Sequence, residues 1–591
     1  MENEVIQYSR ITQFADDICI YQRRNSHAEN CNELQKGLNI INSWLNNRGL
    51  EINISKSAVI TFTRKYNVCP PKLTINNQQL TYKTEIKYLG MWLDHKLSWE
   101  RHIKHTIQQV QQNQQIFKYL AGRWWGANQN TLLLLYNALI RARIEYGSFL
   151  VDNTFKKHDK KLEQAIYPIL KIISGINGKP AREALYVELN VMPTKYRRQI
   201  LAAKFLLKNY QSIRNIINPK IQLLQEIYKP RLINRSDEIP ALISAYQLIS
   251  TYDIIRMPNY ACYSLTWKEV TYKRNIIMEV IDTRKKDPMK IEIMYRSINI
   301  QTEYFIYTDG SKQAEGVGAS FYSPQLNISM KFKLPKLISI YTAESFAISR
   351  ALLYVKTKKL SNIMICTDAK SVLNRIRNFN VNISENWYII NIIHLLYELR
   401  NQNVTLAWVP GHSKITGNEK ADELAKEAIK DGLTYNIKIP SNDIRQGIWL
   451  NQREKWNTQW EQYTINKAKY YALIQPNIQK EAWFSKGRYT REIITLIIRI
   501  RMNSAQTPEY LYKIKKKNNS KCECGHRGTI DHMLLGCKTN HSSIDQMYKD
   551  FKLQKIIFPI DTKTLVYSPN PKIIQALFKH VTRCKMNAET T

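Results

Sequence analysis

Between residues 301 and 430 the spacing of apolar residues switches repeatedly between alternation and helical period, and the order of those switches restricts the fold more than any other feature of the chain. EYFIYTDGS alternates and is expected to end at an Asp-Gly turn, and VGASFYS and ISMKFKL read as the next two strands. TAESFAISRALLYVKTKK follows with apolar residues at helical spacing, behind a threonine, Thr342, expected at the N-cap. NIMICTDAKSVLNRI is a buried strand running into a helix, NWYIINIIHLLYELRN a further helix, VTLAWVPG a strand and GNEKADELAKEAIKD a closing amphipathic helix. The order βββ-α-β-α-α-β-α predicts a mixed α/β sheet flanked by helices, since strands and helices of this kind must bury their apolar faces against one another.

Acidic residues fall where those strands end or helices begin. Asp309 is expected to end the first strand, Glu344 to lie in the first turn of the first helix, Asp368 to end the fourth strand and Asp422 to sit early in the last helix. Taken singly, such acids are more often turn residues, helix-start charges or solvated side chains. Gathered at one edge of a sheet they would raise one another's pKa unless cations were present. Two Mg²⁺ ions, or Mn²⁺ in their place, would resolve the conflict, because hard cations favour carboxylate oxygen. Two metals about 4 Å apart can activate water on one side of a phosphodiester and stabilise the leaving oxygen on the other. His412, ten residues before Asp422 in WVPGHSKITGNE, has an ordinary pKa near working pH and suits proton transfer to the leaving group.

Charge is distributed unevenly. The 591 residues carry 87 Lys plus Arg against 49 Asp plus Glu, a net charge of +38, yet residues 301–430 contribute only +5. The excess on the flanks predicts a polyanionic partner, with salt-sensitive and largely sequence-independent nucleic-acid binding. Arg123-Trp124-Trp125 places aromatics beside a cation, so Arg123 and Trp124 are candidate nucleic-acid contacts through stacking and phosphate pairing. An apolar fraction of 44%, 35 Tyr, 12 Trp and 15 Phe exclude a mostly disordered chain, and 19 Gly with 19 Pro exclude a collagen-like one. Nine Cys in this length do not make a disulfide scaffold. No basic segment followed by an apolar one opens the chain, and TLLLLYNALI and IITLIIRI are too short to span a bilayer. The expected residence is intracellular, in nucleus or cytoplasm, without a membrane partner or a small-molecule cofactor.

The strings YTDGSK, TAESFAI, CTDAKSVL and WVPGHSKITGNEKADELAKEA resemble the signature blocks of a type 1 ribonuclease H domain. That resemblance implies an endonuclease cutting the RNA strand of RNA–DNA hybrids. It further implies Asp309, Glu344, Asp368 and Asp422 as metal ligands, His412 as the loop histidine and Asn418 as a structural or substrate-contacting residue. Upstream, Phe14-Ala15-Asp16-Asp17, then GLEINISKSAVITFTRK and IKYLGMWLDHKLSWERHI, resemble in that order the later palm motifs of non-LTR retrotransposon reverse transcriptases. This implies Asp16 and Asp17 as palm aspartates, Lys56 as the motif lysine, YLGMWLD as a primer-gripping hairpin and the helical stretch after His102 as thumb and connection. The family's fingers and first palm block would lie upstream of residue 1, and two-metal polymerisation needs carboxylates from both palm blocks. The chain therefore reads as the 3′ portion of a retrotransposon polyprotein, with polymerase activity expected only if the natural protein extends upstream.

Near the C-terminus Cys522, Cys524, His532 and Cys537 form C-x-C-x₇-H-x₄-C, a donor set suited to tetrahedral Zn²⁺. A reduced cysteine cluster beside a chance histidine is the alternative, while resemblance favours zinc, because a Cys-Cys-His-Cys element closes many such retrotransposon proteins. The expected organisation is a multidomain α/β chain. It comprises a partial palm of short apolar strands and turn clusters over 1–100, a helical thumb and connection over 101–250, a connection over 251–300, the ribonuclease H-like mixed α/β domain over 301–432, and a basic, mostly helical region over 440–591 with the zinc-type element. The leading function is hybrid ribonuclease; the rival is a non-catalytic nucleic-acid-binding remnant.

Overall fold

The computed structural model describes residues 9–63, 65, 69–122, 125–151, 156–210, 217–234, 239–251, 265–278, 302–380, 386–435, 437, 439–553, 555, 561–567 and 570–584. Two compact units emerge, both built from separated stretches of chain: Met1–Gly147 with Phe155–Val191 and Ala468–Thr591, and Ser148–Thr154 with Met192–Lys467.

The second unit holds the mixed sheet. Its elements are β1 (Tyr304–Lys312), β2 (Val317–Ser323), β3 (Ile328–Leu334), α1 (Ile340–Lys358), β4 (Ile363–Thr367), α2 (Lys370–Arg377), α3 (Trp387–Glu398), β5 (Val404–Trp408) and α4 (Thr416–Asp431). β1, β2 and β3 are antiparallel neighbours, while β4 and β5 continue from β1 as parallel strands. Among the described residues two short strands extend the edges, Leu433–Thr434 beside β3 and Ile276–Ile277 beside β5. Alternation along β1 sends Ile306 into the large core with Phe346 and Ile389, from α1 and α3. Phe305 and Tyr307 go to the opposite face with Ala421 of α4. Helices Thr194–Tyr210, Ile217–Asn234, Ala241–Ser250, Trp267–Thr271 and Ser441–Asn466 also belong to this unit. Tyr196 donates its hydroxyl hydrogen to Gln459 Oε1 at 2.7 Å, tying the first of these to the last.

Three local expectations are corrected. β1 does not end at Asp309-Gly310: its ladder with β2 continues to Lys312 opposite Val317, and Gln313 N–H closes the turn onto the Gly316 carbonyl at 2.9 Å. Antiparallel pairing with β2 outweighs the local turn preference of Asp-Gly. α1 begins at Ile340 behind Ser339, whose hydroxyl accepts from Thr342 N–H, so Thr342 is inside the helix and Glu344 lies beyond the first turn. A twenty-residue helix, His27–Asn46, occupies the N-terminal region that reads as short strands and turns. Its buried face is narrow (Gly37, Leu38 and Ile41), too sparse to give a clear helical period.

In the first unit, C-terminal helices pack on N-terminal ones around a buried ion pair. Arg501 Nε donates to both carboxylate oxygens of Glu188 at 3.0 Å, with side chains 1% and 0% exposed. Tyr471 and Trp483 also donate to that carboxylate, at 2.6 and 2.8 Å, and Arg501 reaches Gln475 Oε1 at 2.7 Å and the Val566 carbonyl. Arg491 donates to the Ile172 carbonyl at 2.9 Å at the end of helix Lys156–Ser174, where a helix presents its negative pole. None of the described helices is long and apolar enough to cross a membrane. Glu188→Ala is expected to destabilise this unit by about 3–5 kcal/mol, because it strands a buried guanidinium. Denaturant unfolding of the full chain, followed by Trp fluorescence, reads that loss.

Candidate active site

Parallel register brings the first two acids together. Thr308 pairs with Thr367, so Asp309 and Asp368, the next residue on each strand, are lateral neighbours. Asp309 shares the parity of Phe305 and Tyr307 and so belongs to the face that α4 covers. Glu344 comes from the helix on the other face. At Gly310 a Cβ would stand 2.7 Å from the Glu344 backbone nitrogen, so only glycine lets α1 close on the strand beside Asp309. α4 is seated on β2 by Ser320, whose hydroxyl donates to the Ala421 carbonyl at 2.6 Å, and the next residue is Asp422.

The acids act on one another through space. Asp309 is 7% exposed. Burial, then the charges of Asp368, Asp422 and Glu344, push its carboxyl up to about 8. Burial and Asp368 push Glu344 up to about 7. Asp368 is also raised, by burial and by Asp422, although His412 and a hydrogen bond from Asn418 pull the other way. Compensation inside the site is small: Lys426 Nζ lies 2.6 Å from Asp422 Oδ2.

His412 stands in the loop before α4 with φ 53°, exposed to solvent. The loop passes tightly over Asp368, since a Cβ on Gly411 would lie 2.8 Å from Asp368 Oδ2. Asn418 is buried, and its Oδ1 has no hydrogen-bond partner among the described residues, an orphaned acceptor at the rim of the site. One further acid joins the group. Glu419 places a carboxylate oxygen with His412 and Asp422 such that the three ligand atoms lie within 4.8 Å of one another. It also accepts from Lys414 N–H at 3.3 Å. The available signal for Glu419 was its i, i+3 spacing to Asp422 on the closing helix.

The remaining candidates lie in the first unit. Asp16 and Asp17 sit exposed at the turn of a hairpin, Arg10–Phe14 with Asp17–Tyr21, where Ala15 takes φ 52°. Lys56 is exposed in a turn in which its N–H donates to Asn53 Oδ1 at 3.1 Å. YLGMWLD forms the hairpin Glu85–Tyr88 with Met91–Asp94, and Tyr146 donates to the Leu89 carbonyl at 2.6 Å to hold its turn. Arg123 and Trp124 lie outside the described residues.

Near the C-terminus, ligand atoms of Cys522, Cys524, His532 and Cys537 all fall within 4.8 Å of one another. Sγ of Cys522 and Cys537 are 3.5 Å apart, Cys524 and Cys537 4.0 Å, and Cys524 Sγ is 3.1 Å from His532 Nε2. Four ligands around a tetrahedral zinc, with Zn–S near 2.3 Å, stand about 3.8 Å apart. Gly525 at φ 87° makes the tight turn after Cys524, and Cys522 N–H donates to the His526 carbonyl at 2.8 Å.

Comparison with known proteins gives two family matches: RNase H over residues 301–430 and reverse transcriptase (RNA-dependent DNA polymerase) over residues 1–93. The chain is 27% identical over 203 residues to the RNA-directed DNA polymerase from mobile element jockey of Drosophila melanogaster, covering 33% of this chain and 21% of that protein. The corresponding Drosophila funebris protein is 30% identical over 179 residues, 29% of this chain and 18% of the relative. Mouse (Mus musculus) ribonuclease H1 is 27% identical over 148 residues, 23% of this chain and 52% of the relative. The matches thus span about a fifth of the mobile-element proteins and about half of ribonuclease H1.

The crowding has a measurable consequence. A carboxyl that titrates higher in the folded state contributes stability in full below about pH 4. For Asp309 that contribution is lost as pH rises toward about 8. In metal-free buffer at pH 7, Asp309→Asn should therefore raise the melting temperature, by about 2–4 °C for each kcal/mol of repulsion removed. The gain should vanish near pH 4, and calorimetry in EDTA at both pH values checks the pair of outcomes.

Proposed function

We propose that this chain, a polyprotein of the non-LTR retrotransposon kind with a reverse transcriptase segment and a ribonuclease H domain, hydrolyses the RNA strand of RNA–DNA hybrids with divalent metal ions. The observation that carries the reading is that burial and neighbouring carboxylates raise Asp309, Glu344 and Asp368, three acids from a strand, a helix and a strand end, with Asp422 adding to it from a fourth element. A folded chain retains such repulsion most readily where a cation relieves it. The donor set is all carboxylate oxygen, the chemistry of Mg²⁺ or Mn²⁺. Bound there, two such ions would supply the charge that activates water and stabilises the leaving oxygen.

The chain's own residues do the rest. Asp309 and Asp368, fixed by strand register, form the rigid side of the site, and Glu344 and Asp422 close it from the two helix layers. Asn418 donates to Asp368 and so orients it. His412, on its exposed loop against Asp368, is placed to pass a proton to the departing 3′ oxygen. The purified chain should cut the RNA of a labelled RNA–DNA hybrid only with Mg²⁺ or Mn²⁺, and spare single-stranded RNA and duplex DNA. Asp309→Asn with Asp368→Asn should abolish cutting, and His412→Ala should lower kcat by about 10²–10⁴-fold. A folded chain that binds hybrid without cutting it would leave the binding-remnant reading in place.

Cys522, Cys524, His532 and Cys537 are assigned to one Zn²⁺, supported by ligand spacings close to those of a tetrahedral site. The cluster is continuous with the core that contains Leu534, Met547 and Phe551, so the metal would stabilise that fold. Metal analysis of chain purified under reducing conditions should give about one zinc per molecule by this assignment, and Cys537→Ser should lose it. A wild-type preparation free of zinc after exposure to the ion overturns the assignment.

A further inference from the structure

A second surface with the chemistry of a polyanion site lies in the first unit. A cleft of about 480 Å³ opens between the helix Glu100–Leu120, the C-terminal end of Lys156–Ser174 and the helix Arg491–Arg501. Its lining carries the cations Lys118, Lys171, Arg491 and Arg499 against one acid, Glu492. The two arginines are fixed in place: Arg491 donates to the Ile172 carbonyl and Arg499 Nε to the Gly175 carbonyl, both at 2.9 Å. They satisfy the negative end of the helix and leave the cleft positive. Among the described residues neither Lys118 nor Lys171 makes an ion pair.

Next to Lys118 in the sequence, the end of the helix Glu100–Leu120 and the turn after it present an aromatic pair to solvent. Tyr119 is 74% exposed and Trp125 66%. Their ring centroids are 5.7 Å apart, at an interplanar angle of 66°. The indole lies against the Gly122 backbone, where a Cβ would stand 2.5 Å from the ring. Exposed aromatics and a nearby positive cleft are the two parts of a stacking platform for bases with a track for phosphates.

We propose that this cleft and the exposed aromatic pair that follows Lys118 together bind a single-stranded segment of nucleic acid, phosphates along Lys118 and Lys171 and bases against Tyr119 and Trp125. A single strand fits better than a duplex, since only unstacked bases offer their faces to side chains. The site belongs to a different unit from the carboxylate cluster and stands independently of the hydrolytic reading.

The test uses the full chain in EDTA, with fluorescence anisotropy of labelled oligouridylate, oligothymidylate and a duplex of matched length. Tyr119→Ala with Trp125→Ala should weaken single-strand binding about 5–150-fold, the stacking of one to a few bases, while Trp125→Phe retains most of it. Lys118→Gln with Lys171→Gln should flatten the slope of log affinity against log salt by about 1.4, two phosphate contacts' worth. Equal effects on both oligomers assign the site to single strands generally; an effect confined to oligouridylate assigns it to RNA. Melting curves accompany each variant, and the single substitutions at exposed Tyr119 and Lys118 serve where a double variant is unstable. Affinities of folded variants within twofold of wild type, or aromatic losses as large for the duplex, overturn the proposal.

Discussion

Parallel pairing of β1 with β4 sets Thr308 beside Thr367 and thereby makes Asp309 and Asp368 neighbours before any other element is placed. Every further member of the carboxylate cluster is positioned against that pair. Gly310 admits α1 closely enough to bring Glu344 alongside, Ser320 seats α4 so that Asp422 follows, and Gly411 lets the His412 loop pass over Asp368. Strand register is a discrete quantity, and a one-residue slip would turn each acid to the opposite face.

The same geometry makes the site costly to the fold. Asp309 and Glu344 sit in surroundings that favour their neutral forms, by burial first and by the charge of Asp368 second. The strands and helices that hold them are deeply buried, with Ile306, Ile365, Ala343 and Phe346 all at or near zero exposure. A rigid core of this kind is what allows like charges to be kept together instead of relaxing apart.

In the first unit the organising interaction is polar. Glu188 and Arg501 are more than three hundred residues apart in sequence, yet they meet fully buried, with Tyr471, Trp483 and Gln475 satisfying what the ion pair leaves over. Removing either partner would strand a charge, so the pair specifies which C-terminal helix docks on which N-terminal one. The zinc-type cluster and the basic cleft both lie in the unit this pair organises.

Much of the site was legible in the sequence, and for a local reason. Apolar period and acid placement within 301–430 gave the element order and named Asp309, Glu344, Asp368, Asp422 and His412, because the acids recur near the strand ends and helix starts that the period marks. The spacing of Cys522, Cys524, His532 and Cys537 likewise named a cluster that the fold brings together. What local signals misplaced were boundaries: Asp-Gly reads as a turn, but ladder pairing with β2 carries β1 through it. The narrow buried face of His27–Asn46 hid a helix, and Glu419 became notable only once the loop brought His412 to it. Beyond reach altogether were the two units, the Glu188–Arg501 pair and the cleft beside Tyr119 and Trp125. The sequence by itself determined which residues alternate, which repeat at helical spacing and which donors recur together, since these are properties of neighbours along the chain. Only the tertiary structure decided which distant segments share a core, because that depends on burying complementary faces and charges whose separation in sequence carries no periodic trace.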